Sequence, residues 1–115
     1  MIFGSHVILF STDADADREF LDRVFGLDHV DAGGGWLIFG LPPAEVAVHP
    51  EATPGAQLYL MCDDLAVEIA RLTELGVQCS AVEEPRWGSV TTIRMPGGGD
   101  LGLYQPRHPT MVEGR

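Results

Sequence analysis

The sequence predicts an α+β fold made of two βαβββ modules that share one core. Residues 6–26 and 57–76 repeat one order of patterns, an apolar strand, an amphipathic helix and a closing glycine, although their sequence identity is slight. A module of roughly 50 residues is too short to close a sheet alone, so the two modules are expected to pair. We therefore predict a single domain over residues 1–115, with modules at about 5–49 and 56–105.

The first module begins with a continuous apolar run at residues 7–10, which indicates a buried strand. Thr12, with Asp15 three residues later, predicts a helix start, and Gly26 predicts the helix end. The apolar face of this helix is predicted to contain Phe20, Leu21, Val24 and Phe25. A hairpin around the glycines at 33–35 and a strand at 45–49 complete the module.

The second module repeats this order. A strand is predicted at 57–61, followed by an N-cap at Asp63 and Asp64 and a helix that ends at Gly76. Its apolar stripe contains Leu65, Ile69, Leu72 and Leu75. A strand at 77–82 leads to a closing hairpin, whose β-branched arm at 89–94 is joined to an apolar arm at 101–105 by the glycines at 97–99.

The closing hairpin, PRWGSVTTIRMPGGGDLGLYQ at residues 85–105, and the order of the elements before it resemble the vicinal oxygen chelate superfamily. That superfamily includes glyoxalase I, extradiol dioxygenases and the fosfomycin and bleomycin resistance proteins. Its hairpin usually reads D-P-x-G-N-x-φ-E-φ, where φ is apolar and the Glu binds a metal. Residues 95–103 align with this pattern: the glycine turn is kept, and Gly102 stands at the position of the metal-binding carboxylate.

The resemblance covers residues from about 5 to about 105 and implies how the modules pair. They would form a curved, cup-like mixed sheet with the helices on its outside and a ligand in the concave face. It also implies a homodimer, in which a neighbouring chain completes each cup.

The resemblance places metal ligands on the first and last strands of each module. The first ligand falls on His6 and the next on Gln57, while the last strand of module one offers Ala47, with His49 two residues on. One imidazole, one neutral amide and no carboxylate make a poor site for a divalent cation. We therefore expect no metal cofactor; the alternative is a divalent metal held by His6, His49 and Gln57.

Strand alternation places Tyr59 on the face of Gln57, and Tyr104 on the face of Gly102. His29 and His108 carry no spacing signal and are predicted to lie at the surface, whereas Trp36 and Trp87 are predicted to pack in the core or an interface. The predicted ligand cavity consists of His6, Ala47, His49, Gln57, Tyr59, Gly102 and Tyr104.

Composition limits the partners. Seventeen acidic and seven basic residues give a formal charge of −10, which would repel nucleic acid and anionic membranes. The N-terminal segment lacks the basic region of a signal peptide, and no apolar run is long enough to span a membrane. Cys62 and Cys79 show no metal-binding spacing, so we expect small core residues in a reducing cytoplasm.

Two functions from different classes follow. The first is a metal-free protein that binds a small organic molecule, as bleomycin resistance proteins do, and it is supported by the missing carboxylates. The second is a metal-dependent lyase or dioxygenase, supported by His6 at the first-ligand position. No strained Ser or Cys nucleophile and no phosphate-binding loop is predicted. The sequence favours the binding protein, identifies no catalytic residue, and leaves open whether the protein is an enzyme.

Overall fold

The computed structural model describes residues 6–45, 47, 48, 50–53 and 55–112. It confirms an α+β fold. Two helices and five strands form in this part of the chain. In chain order they are α1 (Ala14–Phe25), β1 (His29–Asp31), β2 (Leu37–Phe39), β3 (Tyr59–Met61), α2 (Leu65–Glu74), β4 (Gly88–Arg94) and β5 (Asp100–Pro106).

The strands form two sheets. β1 and β2 make an antiparallel pair in the first half of the chain. The second sheet is mixed, with the order β3-β5-β4: β3 runs parallel to the central β5, and β4 runs antiparallel to it. Because β5 is central, its two faces are the two faces of the sheet, and successive side chains along β5 alternate between them.

Both helices are capped by an aspartate at the start and followed by the predicted glycine, but the cap of α1 is not the predicted Thr12. The Asp13 carboxylate accepts a hydrogen bond from the Ala16 amide, so α1 starts one residue after the predicted Thr12. The Asp64 carboxylate caps α2 in the same way. Gly26 (φ +61°) and Gly76 (φ +78°) adopt the left-handed conformation just beyond the helices.

One face of the three-stranded sheet packs against both helices. Leu101 and Leu103 of β5 lie in the same buried cluster as Phe20 of α1 and Leu72 of α2. The Arg71 guanidinium of α2 donates a hydrogen bond to the Val24 carbonyl of α1, which joins the helices at the edge of this core. The buried apolar cluster contains Phe20, Val24, Leu65, Leu72, Val77, Ile93, Met95, Leu101 and Leu103.

The loop between β4 and β5 is docked on the start of α1. The Gly97 amide donates a hydrogen bond of 2.7 Å to the buried Asp17 carboxylate, and the Thr12 hydroxyl donates one of 2.8 Å to the Gly97 carbonyl. A β-carbon on Gly97 would collide with Ser11 and with the Asp17 carboxylate, so this contact requires glycine. The Thr12 hydroxyl therefore binds the loop, and the helix is capped by the Asp13 carboxylate instead.

Four of the predicted strands are absent or reduced, and one of them, predicted at 57–61, forms only over the three residues of β3. Residues 7–10 form no strand and their apolar side chains are exposed, because no backbone group in the described residues pairs with them. Glu45, Ala47 and Val48 lie in no strand, and the rest of the predicted strand at 45–49 falls outside the described residues. The strand predicted at 77–82 is reduced to an isolated bridge from Cys79 to β4 and a hydrogen bond from the Ser80 amide to β4. A second isolated bridge to β4 forms just beyond it, at Glu83.

Candidate ligand site

The candidate site lies on the sheet face opposite the helices. Parallel pairing sets Tyr59 of β3 beside Gly102 of β5, and antiparallel pairing sets Val90 and Thr92 of β4 beside Tyr104 and Gly102. Since Leu101 and Leu103 point into the core, alternation puts Gly102 and Tyr104 on the other side. We call this surface the open face.

Tyr59 packs directly on Gly102. A β-carbon built on Gly102 would overlap three carbons of the Tyr59 ring, so the ring fills the space that a side chain at 102 would need. The Tyr59 hydroxyl donates a hydrogen bond of 3.0 Å to the side-chain oxygen of Gln57. The Tyr59 ring can therefore occupy this position only because residue 102 has no side chain.

Tyr59, Trp87 and Tyr104 form an aromatic cluster on the open face. Each ring meets the other two edge-on: the centroids are 5.9 Å apart for Tyr59–Trp87, 5.8 Å for Tyr59–Tyr104 and 5.2 Å for Trp87–Tyr104. Such edge-to-face pairs add about 0.5–1.5 kcal/mol each to the burial of the rings. The cluster is a preformed aromatic surface.

Local backbone geometry positions Trp87. The Gly88 amide donates a hydrogen bond to the Pro85 carbonyl, which closes a turn just before β4. A β-carbon at Gly88 would lie 2.5 Å from the Gln105 carbonyl oxygen, so only glycine allows β4 and β5 to approach this closely. The turn brings the Trp87 side chain over the end of β5, against Tyr104.

The segment after β5 folds back beside the cluster. The Tyr104 hydroxyl and the His108 Nε2 atom are 2.9 Å apart, and the two rings are stacked with centroids 5.8 Å apart. Burial raises the pKa of Tyr104, and the nearby Glu45 carboxylate and Tyr59 raise it further. His108 is thus a site residue that the sequence placed at the surface; no spacing signal could have revealed it, because its partner is set by the path of the tail.

A second contact holds the same segment. The Arg107 guanidinium pairs with the Glu84 carboxylate and lies 3.0 Å from the Ser89 hydroxyl, and the Arg107 amide donates to the Trp87 carbonyl. Hydrogen bonds from Ser89 and Arg107 lower the pKa of Glu84. The tail is therefore tied to the segment that leads into β4, and these hydrogen bonds favour the ionised form of Glu84.

A cavity of about 430 Å³ opens on this face beside the cluster. Two aromatic residues, two glutamates and a proline surround it, together with two residues of β4. The lining residues are Tyr59, Glu83, Glu84, Pro85, Trp87, Val90 and Thr92.

The structure brings together four of the seven predicted cavity residues: Gln57, Tyr59, Gly102 and Tyr104. His6 and Ala47 are exposed, and His49 lies outside the described residues.

Neither tryptophan packs in the core, the first of the two locations that the sequence predicts; the second, an interface, stays a prediction. Trp36 is 61% exposed and lies against the Arg18 guanidinium, 5.0 Å from ring centroid to Cζ. Trp87 is 40% exposed and belongs to the aromatic cluster. Trp36 ends the turn that begins at Gly33, and Trp87 lies inside the turn from Pro85 to Gly88, so neither side chain belongs to a helix or strand face that packs on the core.

The open face does not fit the metal site implied by the resemblance. The carboxylate position is Gly102, and the Tyr59 ring occupies the space in front of it. In the part of the chain that the structure describes, no three His, Cys, Asp or Glu side chains are grouped closely enough to hold a metal ion. A divalent cation in front of Gly102 would therefore lack the carboxylate that the superfamily pattern supplies at this position.

Three comparisons place the chain among known proteins. No family model matches the sequence, and no curated protein sequence matches it either. Solved structures do match. TnmS3, an antibiotic binding protein from Streptomyces sp. CB03234, has 29% sequence identity and a TM-score of 0.63, with 92% of this chain and 99% of that chain covered.

Two further structures show the same fold. A glyoxalase/bleomycin resistance protein from Streptomyces sp. CB03234 has 27% identity and a TM-score of 0.57, covering 83% of this chain and 93% of that one. Lactoylglutathione lyase from Agrobacterium tumefaciens has 20% identity and a TM-score of 0.61, covering 84% and 88%. The α+β fold and these neighbours confirm the resemblance found in the sequence: the solved structures that match the chain include members of the glyoxalase/bleomycin resistance protein/dioxygenase superfamily, and the chain has their fold.

Proposed function

We propose that the protein binds a small organic molecule on its open face without the help of a metal. The observation that carries the proposal is the packing of Tyr59 on Gly102. It presents an aromatic ring where the superfamily pattern has a metal-binding carboxylate. A face built in this way offers stacking surface and a few hydrogen-bonding groups.

The cavity supports this function by its size and its lining. Ligand pockets usually measure about 300–1,000 Å³ and combine apolar walls with a few polar groups. The cavity here, about 430 Å³, has Trp87, Tyr59 and Val90 as apolar walls and Thr92 as a hydroxyl group. TnmS3, a structural neighbour at 29% identity, is described as an antibiotic binding protein, which supports an organic ligand of this general kind.

The other partners follow from charge. With a formal charge of −10, we propose a protein that avoids nucleic acid and anionic membranes. No helix in the described residues has the length and apolarity that crossing a membrane requires. A reducing cytoplasm is the compartment that suits the two free thiols of Cys62 and Cys79.

The metal-dependent lyase or dioxygenase stays the alternative. It would use His6, His49 and Gln57. The Gln57 side-chain oxygen, however, already accepts a hydrogen bond from the Tyr59 hydroxyl. A bound cation would have to replace that hydrogen bond. We therefore favour the binding protein, and no step of catalysis is assigned to these residues.

Thermal unfolding with a panel of organic molecules, bleomycin among them, tests the proposal. A ligand that binds only the folded state raises the midpoint in proportion to its concentration and affinity. We expect at least one such ligand, and expect Trp87→Leu to abolish its effect while Trp36→Leu, an exposed tryptophan away from the cluster, preserves it. The same scan is run with manganese, nickel and zinc and with a chelator.

Two results would overturn the proposal. One is the absence of any ligand whose effect depends on Trp87. The other is stoichiometric metal in the purified protein with a large loss of stability on chelation, which would favour the enzyme.

A further inference from the structure

We infer that the ligand of the open face is a flat aromatic cation. The inference rests on the proposed binding function and adds the chemical class of the molecule bound. It combines the two aromatic residues that line the cavity, Tyr59 and Trp87, with the glutamates of the same lining, above all Glu83, whose bridge partner Val90 lies on the open face.

The aromatic walls favour a flat molecule. Tyr59 and Trp87 are 39% and 40% exposed, so each leaves part of its ring surface uncovered beside the cavity. Their contacts with each other and with Tyr104 are edge-to-face, with interplanar angles of 79–84°. A planar ligand can stack on such a ring without changing these contacts, and a positive charge on the ligand strengthens the stacking through the ring quadrupole.

The carboxylates decide the sign of the charge. Glu84 is held by Arg107, so its charge is largely balanced. The Glu83 backbone is fixed by two hydrogen bonds with Val90, and no basic side chain in the described ranges forms an ion pair with the Glu83 carboxylate. No arginine or histidine lines the cavity. The lining therefore carries a net negative charge next to exposed rings.

The field of the whole protein acts in the same direction. A formal charge of −10 raises the local concentration of cations at the surface and lowers that of anions. For molecules of the same flat shape, we therefore expect affinity to fall in the order cation, neutral molecule, anion.

Three planar probes of similar size test this order by isothermal titration calorimetry at low and physiological ionic strength. Proflavine is the cation, acridone the neutral molecule and anthracene carboxylate the anion. We expect proflavine to bind most tightly and its affinity to fall as salt is added. Trp87→Leu should weaken proflavine and acridone alike, by about three- to tenfold, because both stack on the ring.

Glu83→Gln isolates the charge. The substitution keeps the backbone bridge to Val90 and should weaken proflavine by about two- to fivefold, the range for a solvent-accessible ion pair, while acridone binding stays unchanged. Glu74→Gln at the end of α2 is the matched control, since it removes the same charge away from the cavity and should leave proflavine binding unchanged.

The outcomes separate the ligand class from the function. If acridone or anthracene carboxylate binds as tightly as proflavine, or if Glu83→Gln leaves proflavine affinity unchanged, the cationic class is wrong although Trp87-dependent binding stands. If no probe binds while the thermal screen yields a Trp87-dependent ligand, the class is again wrong and the function stands. If no probe binds and the screen also fails, both are overturned.

Discussion

The ring of Tyr59 lies over the α-carbon of Gly102, its register partner on the neighbouring parallel strand, and fills the space in which a side chain at 102 would stand. The identity of residue 102 and the position of the Tyr59 ring depend on each other. A side chain at 102 would expel the ring, and a smaller residue at 59 would leave a void on the open face.

The first prediction concerns this pair. Gly102→Ala should reduce the free energy of unfolding by about 1–3 kcal/mol, because overpacking forces the Tyr59 ring to move. In a Tyr59→Ala background the same change should cost much less, which gives a measurable coupling energy in a double-mutant cycle. Gly99→Ala, where the new β-carbon would be at an ordinary 3.5 Å from the nearest atom, is the control. Equal costs in both backgrounds would mean that the ring does not fill this space.

The second prediction concerns the carboxylate of the superfamily pattern. Gly102→Glu alone should destabilise the protein, because its side chain competes with the Tyr59 ring for the same space. In Tyr59→Ala/Gly102→Glu the carboxylate has room beside the Gln57 side chain, so the loss of stability should be smaller, and a rise of the unfolding midpoint with manganese, nickel or zinc is expected only in this variant. Unfolding scans of the wild type and both variants, each with and without metal, provide the measurement. Metal-induced stabilisation of Gly102→Glu with Tyr59 intact would contradict the steric argument.

The third prediction tests the helix ends. Gly26→Ala and Gly76→Ala should each destabilise by about 1 kcal/mol, since both glycines have positive φ and alanine gains no contact there. Gly55→Ala is a suitable control, because its β-carbon also meets nothing and its φ is not positive. Unchanged chemical-denaturation midpoints for both cap variants would show that the helices end elsewhere.

The fourth prediction concerns the thiols. Burial, with the carboxylates of Glu68 and Asp63, raises the pKa of Cys62 to about 11, and burial also raises the pKa of Cys79. A raised pKa keeps the thiol protonated at neutral pH, so alkylation of the folded protein should be slow there and should accelerate for Cys62 only as the pH approaches 11. Mass spectrometry after timed iodoacetamide treatment follows both sites, with urea-unfolded protein as the control. Rapid labelling of the folded protein at neutral pH would be inconsistent with this.

The fifth prediction is a homodimer. Several large apolar side chains of the first half are exposed, among them Ile8, Phe10 (90% exposed), Val30 and Trp36. Apolar surface of this kind is normally covered by a partner. Light scattering at micromolar concentration should give twice the 12.4 kDa of one chain. Phe10→Ser should weaken the dimer, whereas Val67→Ser, on the exposed side of α2, should not; a monomer mass for the wild type would refute the prediction.

The sequence predicts well what depends on local chemistry. Asp64, Gly26 and the glycines of the β4–β5 loop each meet a requirement of the backbone within a few residues, and the structure places all of them as expected. The two glycine hairpins also form where they are predicted.

The rest depends on partners distant in sequence. An apolar run such as 7–10 shows that residues can be buried, but only a neighbouring strand makes them a strand. Likewise, Tyr59 and Gly102 could be assigned to one face by alternation, but the filling of the Gly102 space by a ring follows from packing across two strands. His108 contacts Tyr104 because the segment after β5 folds back, and the sequence of that segment has no periodic pattern from which this path could be predicted.

The contact between Gly97 and the start of α1 has a consequence for how the chain folds. Its bonds join Thr12 and Asp17 to a loop 80–85 residues away, so they form only after nearly the whole chain has been brought together. Bringing such distant residues together costs loop-closure entropy before the hydrogen bonds form. Contacts of this kind slow folding. During synthesis, most of the chain must emerge from the ribosome before the Asp17 carboxylate can accept a hydrogen bond from the Gly97 amide. We expect the start of α1 to become fully ordered only when the β4–β5 hairpin has formed and docked on it.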